Sequence, residues 1–175
     1  RGQVASGRAL DLLGPVRSCR AGQHWTWDGV RFDWLHPIEP LLTHDNDRSC
    51  VLAIRAGSRL LVLTGDVEKL AERQLLARGL SSPVDILVVP HHGSRTSSSA
   101  EFVAATRPRW AVVSAGHRNR WGFPAPAIVE RWRASGAEVV LTSNSGAVEF
   151  EVVPGRPLQA PVLWRLESRH IWTDP

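Results

Sequence analysis

The sequence predicts an α/β protein (an α+β sandwich) built on one mixed β-sheet with helices packed against it. Three observations carry that prediction. Two early segments alternate apolar and polar residues around tight turn signals, as β-hairpins do. Three later segments, 85–89, 110–114 and 139–141, are short and almost wholly apolar, as strands covered on both faces are. Helical spacing fills the gaps between them, so strand and helix alternate through the second half.

Residues 1–20 show only weak periodicity. His24-Trp25-Thr26-Trp27, the pair Asp28-Gly29 and residues 30–35 read as the first hairpin, which Pro37 and Pro40 end. A polar loop at 43–49 leads to a second hairpin, with strands at 50–55 and 60–63 around Gly57-Ser58. Residues 67–78 read as a helix with Asp66 as its cap, an apolar stripe of Leu70, Leu75 and Leu76, and Gly79 as its stop. Ser98 with Glu101 forms a capping box for a helix running to about residue 106. Residues 126–134 form a helix with Pro126 in its first turn and Gly136 past its end. Residues 148–153 read as the last strand. The expected organisation is one partial domain over 1–155 and an irregular Pro-rich tail over 156–175, marked by Pro157 and Pro161.

With 175 residues, 43% of them hydrophobic and 22% charged, the chain has the composition of one globular domain rather than of a disordered segment. The net charge is +4, and Lys69 is the only lysine. An Arg-rich basic surface suits a polyanion, and an Arg bias in composition gives the same balance. Two cysteines do not make a disulfide framework. One bridge fits if the domain lies outside the cytoplasm, but Cys50 is expected to pack as a small hydrophobe. No stretch reaches the roughly 18 apolar residues that span a bilayer. The chain contains no Met and is expected to be part of something longer.

Chemistry in sheet folds collects beyond strand ends. Three strand ends here carry polar groups: Asp66, then His91-His92, then Ser114-Ala115-Gly116-His117. If the three strands are neighbours, these groups converge. Asp66 is a carboxylate free to bind metal, or the cap of the helix that follows. His91 and His92 are candidates for a metal ligand or catalytic acid with its partner, or are turn histidines bonded to backbone. Gly93 to Ser99 offers flexibility, hydroxyls and an arginine ahead of a helix. Ser94, Arg95, Thr96 and Ser97 therefore suit an anion such as phosphate, or form a solvated loop. Asn119 and Arg120, beside Trp121, stand in a loop able to stack a base or simply to turn the chain. His24 and His36 flank the first hairpin and read as structural.

In order, the chain carries Trp-Asp-Gly-Val-x-Phe-x-x-Leu-His-Pro from Trp27, Asn-x-x-Ser-Cys-Val-Leu from Asn46 and Leu-Thr-Gly-Asp ending at Asp66. It continues with Val-Val-Pro-His-His-Gly-Ser-Arg-Thr-Ser-Ser-Ser from Val88 and Asn-Arg-Trp-Gly-x-Pro from Asn119. Over roughly residues 19–150 this resembles the C-terminal domain of the ComEC competence family. The resemblance implies the C-terminal half of a metallo-β-lactamase-like fold. It also implies two divalent metal ions (Zn or Mn) and a metal-bound hydroxide that attacks a phosphodiester or another ester. By the resemblance Asp66 is a metal ligand, and His92, with His91 beside it, is a ligand or proton donor. It further implies a nuclease acting on the DNA strand that is not imported, beside a membrane channel, on the extracytoplasmic face of a bacterial inner membrane.

The sequence departs from that family in three places. An H-x-H-x-D-H-like motif is absent, and Asp11 is the only carboxylate before Asp28. Phe123 stands where the family often has a histidine. The slot of a middle ligand holds Asn46-Asp47, with His44 nearby and His36 slightly before it. Zinc sites take three or four protein ligands, so weak or no metal binding is expected of this stretch alone. Three functions follow: part of a phosphodiesterase acting on single-stranded DNA, a silent DNA-binding module, and a small-molecule ester hydrolase of the same superfold.

Overall fold

The computed structural model describes residues 18–81 and 83–168. Asp11 and His170 lie outside the described residues.

Strands β1 (His24–Trp27) and β2 (Val30–His36) form the first hairpin. Its turn places Asp28 and Gly29 at φ 48° and 78°, the left-handed pair that matches strand twist. Strands β3 (Val51–Ala56) and β4 (Arg59–Leu63) form the second. Then α1 (Lys69–Ala77), β5 (Ile86–Val88), α2 (Ala100–Thr106), β6 (Trp110–Val113), α3 (Pro126–Ala134) and β7 (Glu138–Leu141) alternate. The seven strands lie in one sheet in chain order, β1-β2-β3-β4-β5-β6-β7. Pairing is antiparallel from β1 to β4 and parallel from β4 to β7. This is the predicted mixed sheet with helices.

The pairing register fixes the two faces. Ala53, Val62, Leu87, Ala111 and Val139 form one cross-strand row, and the first four are fully buried. Against that face pack Leu75 of α1, Phe102 of α2 and Trp132 of α3, with Phe102 and Trp132 meeting edge to face. Truncating one of these large side chains to Ala is expected to cost about 2–5 kcal/mol. The alternate row, Ile54, Leu61, Ile86 and Trp110, faces the other way. Leu158, Phe150 and Leu163 cover its β5–β7 end. Trp25 and Leu63, toward the β1–β4 end, keep about 40% exposure, 41% and 40%.

Several elements differ from the sequence expectation, each for a physical reason. Helix α1 starts at Lys69 because its first turn is capped from a distance, by Asp47. Helix α2 is capped by Ser99, whose Oγ accepts from the Phe102 N–H at 3.3 Å. Ser98 is left-handed at φ 55°, its N–H tied to Glu72, so the helix begins after it. Strand β8 is only Val148–Glu149, because its partner β9 (Val162–Leu163) is two residues long. Two short helices, α4 (Thr142–Ser145) and α5 (Trp164–Glu167), were not anticipated. Residues 156–168, expected to be irregular, thus carry β9 and α5 and bury Leu158.

Cys50 does not pack as a hydrophobe. It forms a disulfide with Cys19, with Cα atoms 6.0 Å apart, and is exposed. The two-residue period of β3 explains this, since Val51 and Ala53 take the buried face and leave Cys50 on the other.

Candidate functional site

The ends of β4, β5 and β6 are neighbours in the sheet, so the three polar strand ends do converge. At the first end, Thr64 is fully buried and donates from Oγ1 to the Val88 carbonyl at 2.7 Å. Gly65 turns the chain at φ 57°, with an added Cβ only 3.0 Å from the Ser49 Cβ. The His91 N–H donates to the Gly65 carbonyl at 3.0 Å and binds the second end to the first.

Asp66 does not cap α1. That role belongs to Asp47, 4% exposed, whose Oδ1 accepts from the N–H groups of Glu68 at 2.9 Å and Ala71 at 3.2 Å. The Asp66 side chain is left half exposed at the site, with its Oδ1 3.5 Å from His92 Nε2.

At the second end His91, His92 and Gly93 are all left-handed, at φ 49°, 55° and 76°. On a strand, adjacent side chains point to opposite faces. Here the strand has ended, and the turn holds both imidazoles at the site, with ring centroids 6.3 Å apart. Gly93 is required by its φ and by space, since a Cβ would lie 2.6 Å from that of Pro124.

The hydrogen bonds assign the tautomer of His92. Its Nδ1 lies 2.8 Å from the Ser114 carbonyl of the third strand end. A carbonyl only accepts, so Nδ1 carries the proton and Nε2 of the neutral ring is bare. His92 Nε2, on the far side of the ring from that carbonyl, is the atom turned toward Asp66 Oδ1. His91 Nδ1 lies 3.2 Å from Glu68 Oε1 and 3.3 Å from Thr96 Oγ1.

Glu68 is the residue that sequence reasoning missed. It accepts from Thr96 Oγ1 at 2.9 Å and Asn46 Nδ2 at 3.2 Å. Burial pushes its carboxyl up, but those hydrogen bonds and the imidazoles of His91 and His44 outweigh it and hold the group below the usual range. A signal was present. Val67, fully buried, separates two acids, so Asp66 and Glu68 share the open side.

The hydroxyl loop divides. Thr96 is exposed and joined to the site, and Ser94, buried, lies 3.0 Å from it through its own Oγ. Ser97 is fully buried and donates inward to the Pro90 and Ser94 carbonyls. Arg95 is exposed beside them. His117 Nδ1 lies 3.0 Å from the Ser143 carbonyl, toward α4. His36 is buried, with Nδ1 2.9 Å from the Ser49 carbonyl, in keeping with a structural reading.

The loop 117–124 closes the β6 side. The Asn119 amide is spent inside the loop, donating to the Phe123 carbonyl at 2.6 Å and accepting from its N–H at 3.0 Å. The Arg120 guanidinium lies 4.6 Å from the Trp121 ring centroid. The Phe123 ring sits 5.9 Å from His91 and 6.1 Å from His92, centroid to centroid.

Asp66 and His92 have the donor chemistry of a divalent-cation site, a carboxylate oxygen and a bare imidazole nitrogen. Among the described residues no group of three or more His, Cys, Asp or Glu gathers to hold a metal ion. Two donors do not complete the shell of a zinc ion. What the arrangement supplies unaided is an imidazole and a carboxylate side by side, with the Thr96 hydroxyl joined to the neighbouring His91 and Glu68.

The sequence model of the family described as "Metallo-beta-lactamase superfamily" matches residues 3–117. The chain is similar to "Competence protein ComA" of Neisseria gonorrhoeae, 42% identical over 136 residues, covering 77% of this chain and 20% of that protein. It is similar to "Recombination protein 2" of Haemophilus influenzae, 39% identical over 138 residues, covering 79% and 17%. It is also similar to "ComE operon protein 3" of Bacillus subtilis, 31% identical over 121 residues, covering 69% and 16%. The chain spans a fifth or less of the length of these relatives.

Proposed function

Because the chain belongs to the metallo-beta-lactamase superfamily, we propose that it is the hydrolase-type domain of a DNA-uptake protein, acting on phosphodiesters of single-stranded DNA that is not imported. The observation that carries this reading is the pair Asp66 and His92, on neighbouring strand ends with Oδ1 and Nε2 3.5 Å apart. Similarity to a relative named a competence protein supports DNA as the substrate class. In this reading His92, its Nδ1 proton held by the Ser114 carbonyl, presents Nε2 to the reacting phosphate as base or ligand. Thr96 and Arg95 bind non-bridging phosphate oxygens. The partner is the membrane channel of the same or a neighbouring polypeptide. The Cys19–Cys50 disulfide supports a place on the extracytoplasmic face.

The test is metal-dependent cleavage of single-stranded DNA by the complete protein. His92→Ala is expected to abolish it, and cleavage left intact removes the basis of the reading.

One observation favours a second reading, a DNA-holding module without cleavage. Phe123, a side chain with no donor, stands beside both histidines. That reading predicts salt-sensitive binding of DNA and no hydrolysis in the complete protein.

A further inference from the structure

We propose that the cavity beside His92 is a subsite for one unpaired nucleobase, with the Trp121 indole as its stacking wall. This rests on the single-stranded DNA reading above and names the part of the strand that the site grips.

Trp121 is 65% exposed, among the least covered large apolar side chains of the described residues. Its loop is braced all the same. Asn119 spans it with two hydrogen bonds to the Phe123 backbone and a third, at 3.1 Å, to the Gly116 carbonyl. The Gly122 N–H closes a turn onto the Asn119 carbonyl at 3.3 Å. The Ala125 N–H donates to the Gly93 carbonyl at 3.0 Å, and Pro124 packs directly over Gly93. The turn that presents the two histidines and the loop that presents Trp121 are therefore fastened to each other. The indole is held in water by a fixed frame.

Trp121 also lines a cavity of about 220 Å³ with His92, Ser114, Ala115, Gly116, Asn119 and Phe123. That volume lies below the roughly 300 Å³ lower end of small-molecule sites, so it suits one flat ring system rather than a whole nucleotide. Its walls include two aromatic rings and an imidazole. The Arg120 guanidinium, 4.6 Å from the Trp121 ring centroid and outside the cavity lining, can cover one indole face and leaves the cavity-side face for a base, while its charge suits a strand backbone. Stacking on an indole uses the π-face that every base has, so the subsite takes any unpaired base. A paired base already stacked in a duplex does not offer that face. Because His92 forms part of the wall, a base seated there sets its own phosphate beside the Asp66–His92 pair.

The experiment measures binding of the whole chain at low salt to a short oligothymidylate and to an abasic strand of equal length. Trp121→Ala is expected to weaken oligothymidylate binding roughly tenfold and to leave abasic-strand binding unchanged. Trp121→Phe is expected to keep most of the affinity. Equal affinity of wild type and Trp121→Ala for oligothymidylate overturns the proposal. So does an equal loss on both strands, which makes Trp121 a structural or backbone-facing residue. The high exposure of Trp121 lets the variant fold, and an unchanged thermal midpoint confirms that. Failure of the parent reading shows separately, as no binding of either strand by wild type or as cleavage that survives His92→Ala.

Discussion

The carboxylate of Asp47 caps the helix that begins beyond Glu68, accepting the Glu68 N–H at 2.9 Å from 21 residues upstream. This division of labour leaves Asp66 without a structural duty. Asp47→Ala strands two helix N–H groups in a buried position and is expected to cost about 2 kcal/mol. Asp66→Ala is expected to change stability by less than about 0.5 kcal/mol. Urea unfolding of the two variants checks the contrast, and an equal loss in both contradicts it.

Glu72 is fully buried, and its two oxygens accept the N–H groups of Ser98 and Ser99. Burial raises its carboxyl above the usual value of 4.5, against the pull of those donors. A raised folded value means that folding favours the protonated form. Its contribution is full below pH 4.5 and is lost as pH rises through the folded value. Wild type should therefore lose stability relative to Glu72→Gln as pH rises from 4.5 toward neutrality. Unfolding curves of the two proteins that keep a constant separation over that range contradict the assignment.

Phe123 occupies the third side of the His91–His92 pair. Phe123→His would place an imidazole where the benzyl ring stands and add a third donor to Asp66 and His92. Equilibrium dialysis is expected to show at least a tenfold gain in Zn²⁺ affinity over wild type. An unchanged affinity would show that the loop holds that side chain out of reach of the pair.

The Cys19–Cys50 bridge closes 31 residues of chain and ties the segment before β1 to the start of β3. Closing a loop of that length is worth about 3–4 kcal/mol. Cys50 is exposed, so a thiol reductant reaches it. Adding reductant should lower the denaturant midpoint of wild type and leave Cys50→Ser unmoved.

Features that depend on local pattern were legible in the sequence. Asp28-Gly29 marked the first hairpin, the apolar runs marked β5 to β7, and Pro126 with Gly136 bounded α3 (Pro126–Ala134). The convergence of Asp66 with His91-His92 followed once those strands proved to be neighbours. Features that depend on distant side chains were not legible. Ser98 matched a capping box, yet its left-handed backbone, set by Glu72 26 residues earlier, moved the cap to Ser99. Glu68 became part of the site through Thr96, 28 residues later, and Asn46, 22 residues earlier. Pro154, Pro157 and Pro161 signalled an irregular tail, but they do not prevent Leu158 from packing in one cluster with Trp110 or β9 (Val162–Leu163) from forming.

The strand order has a kinetic consequence. Each of β2 to β7 pairs with the sheet strand synthesised immediately before it. No pairing waits for a distant segment, so the entropy of loop closure stays small at every addition. Such a sheet can grow one strand at a time as the polypeptide emerges from the ribosome, each new strand adding to the edge opposite β1.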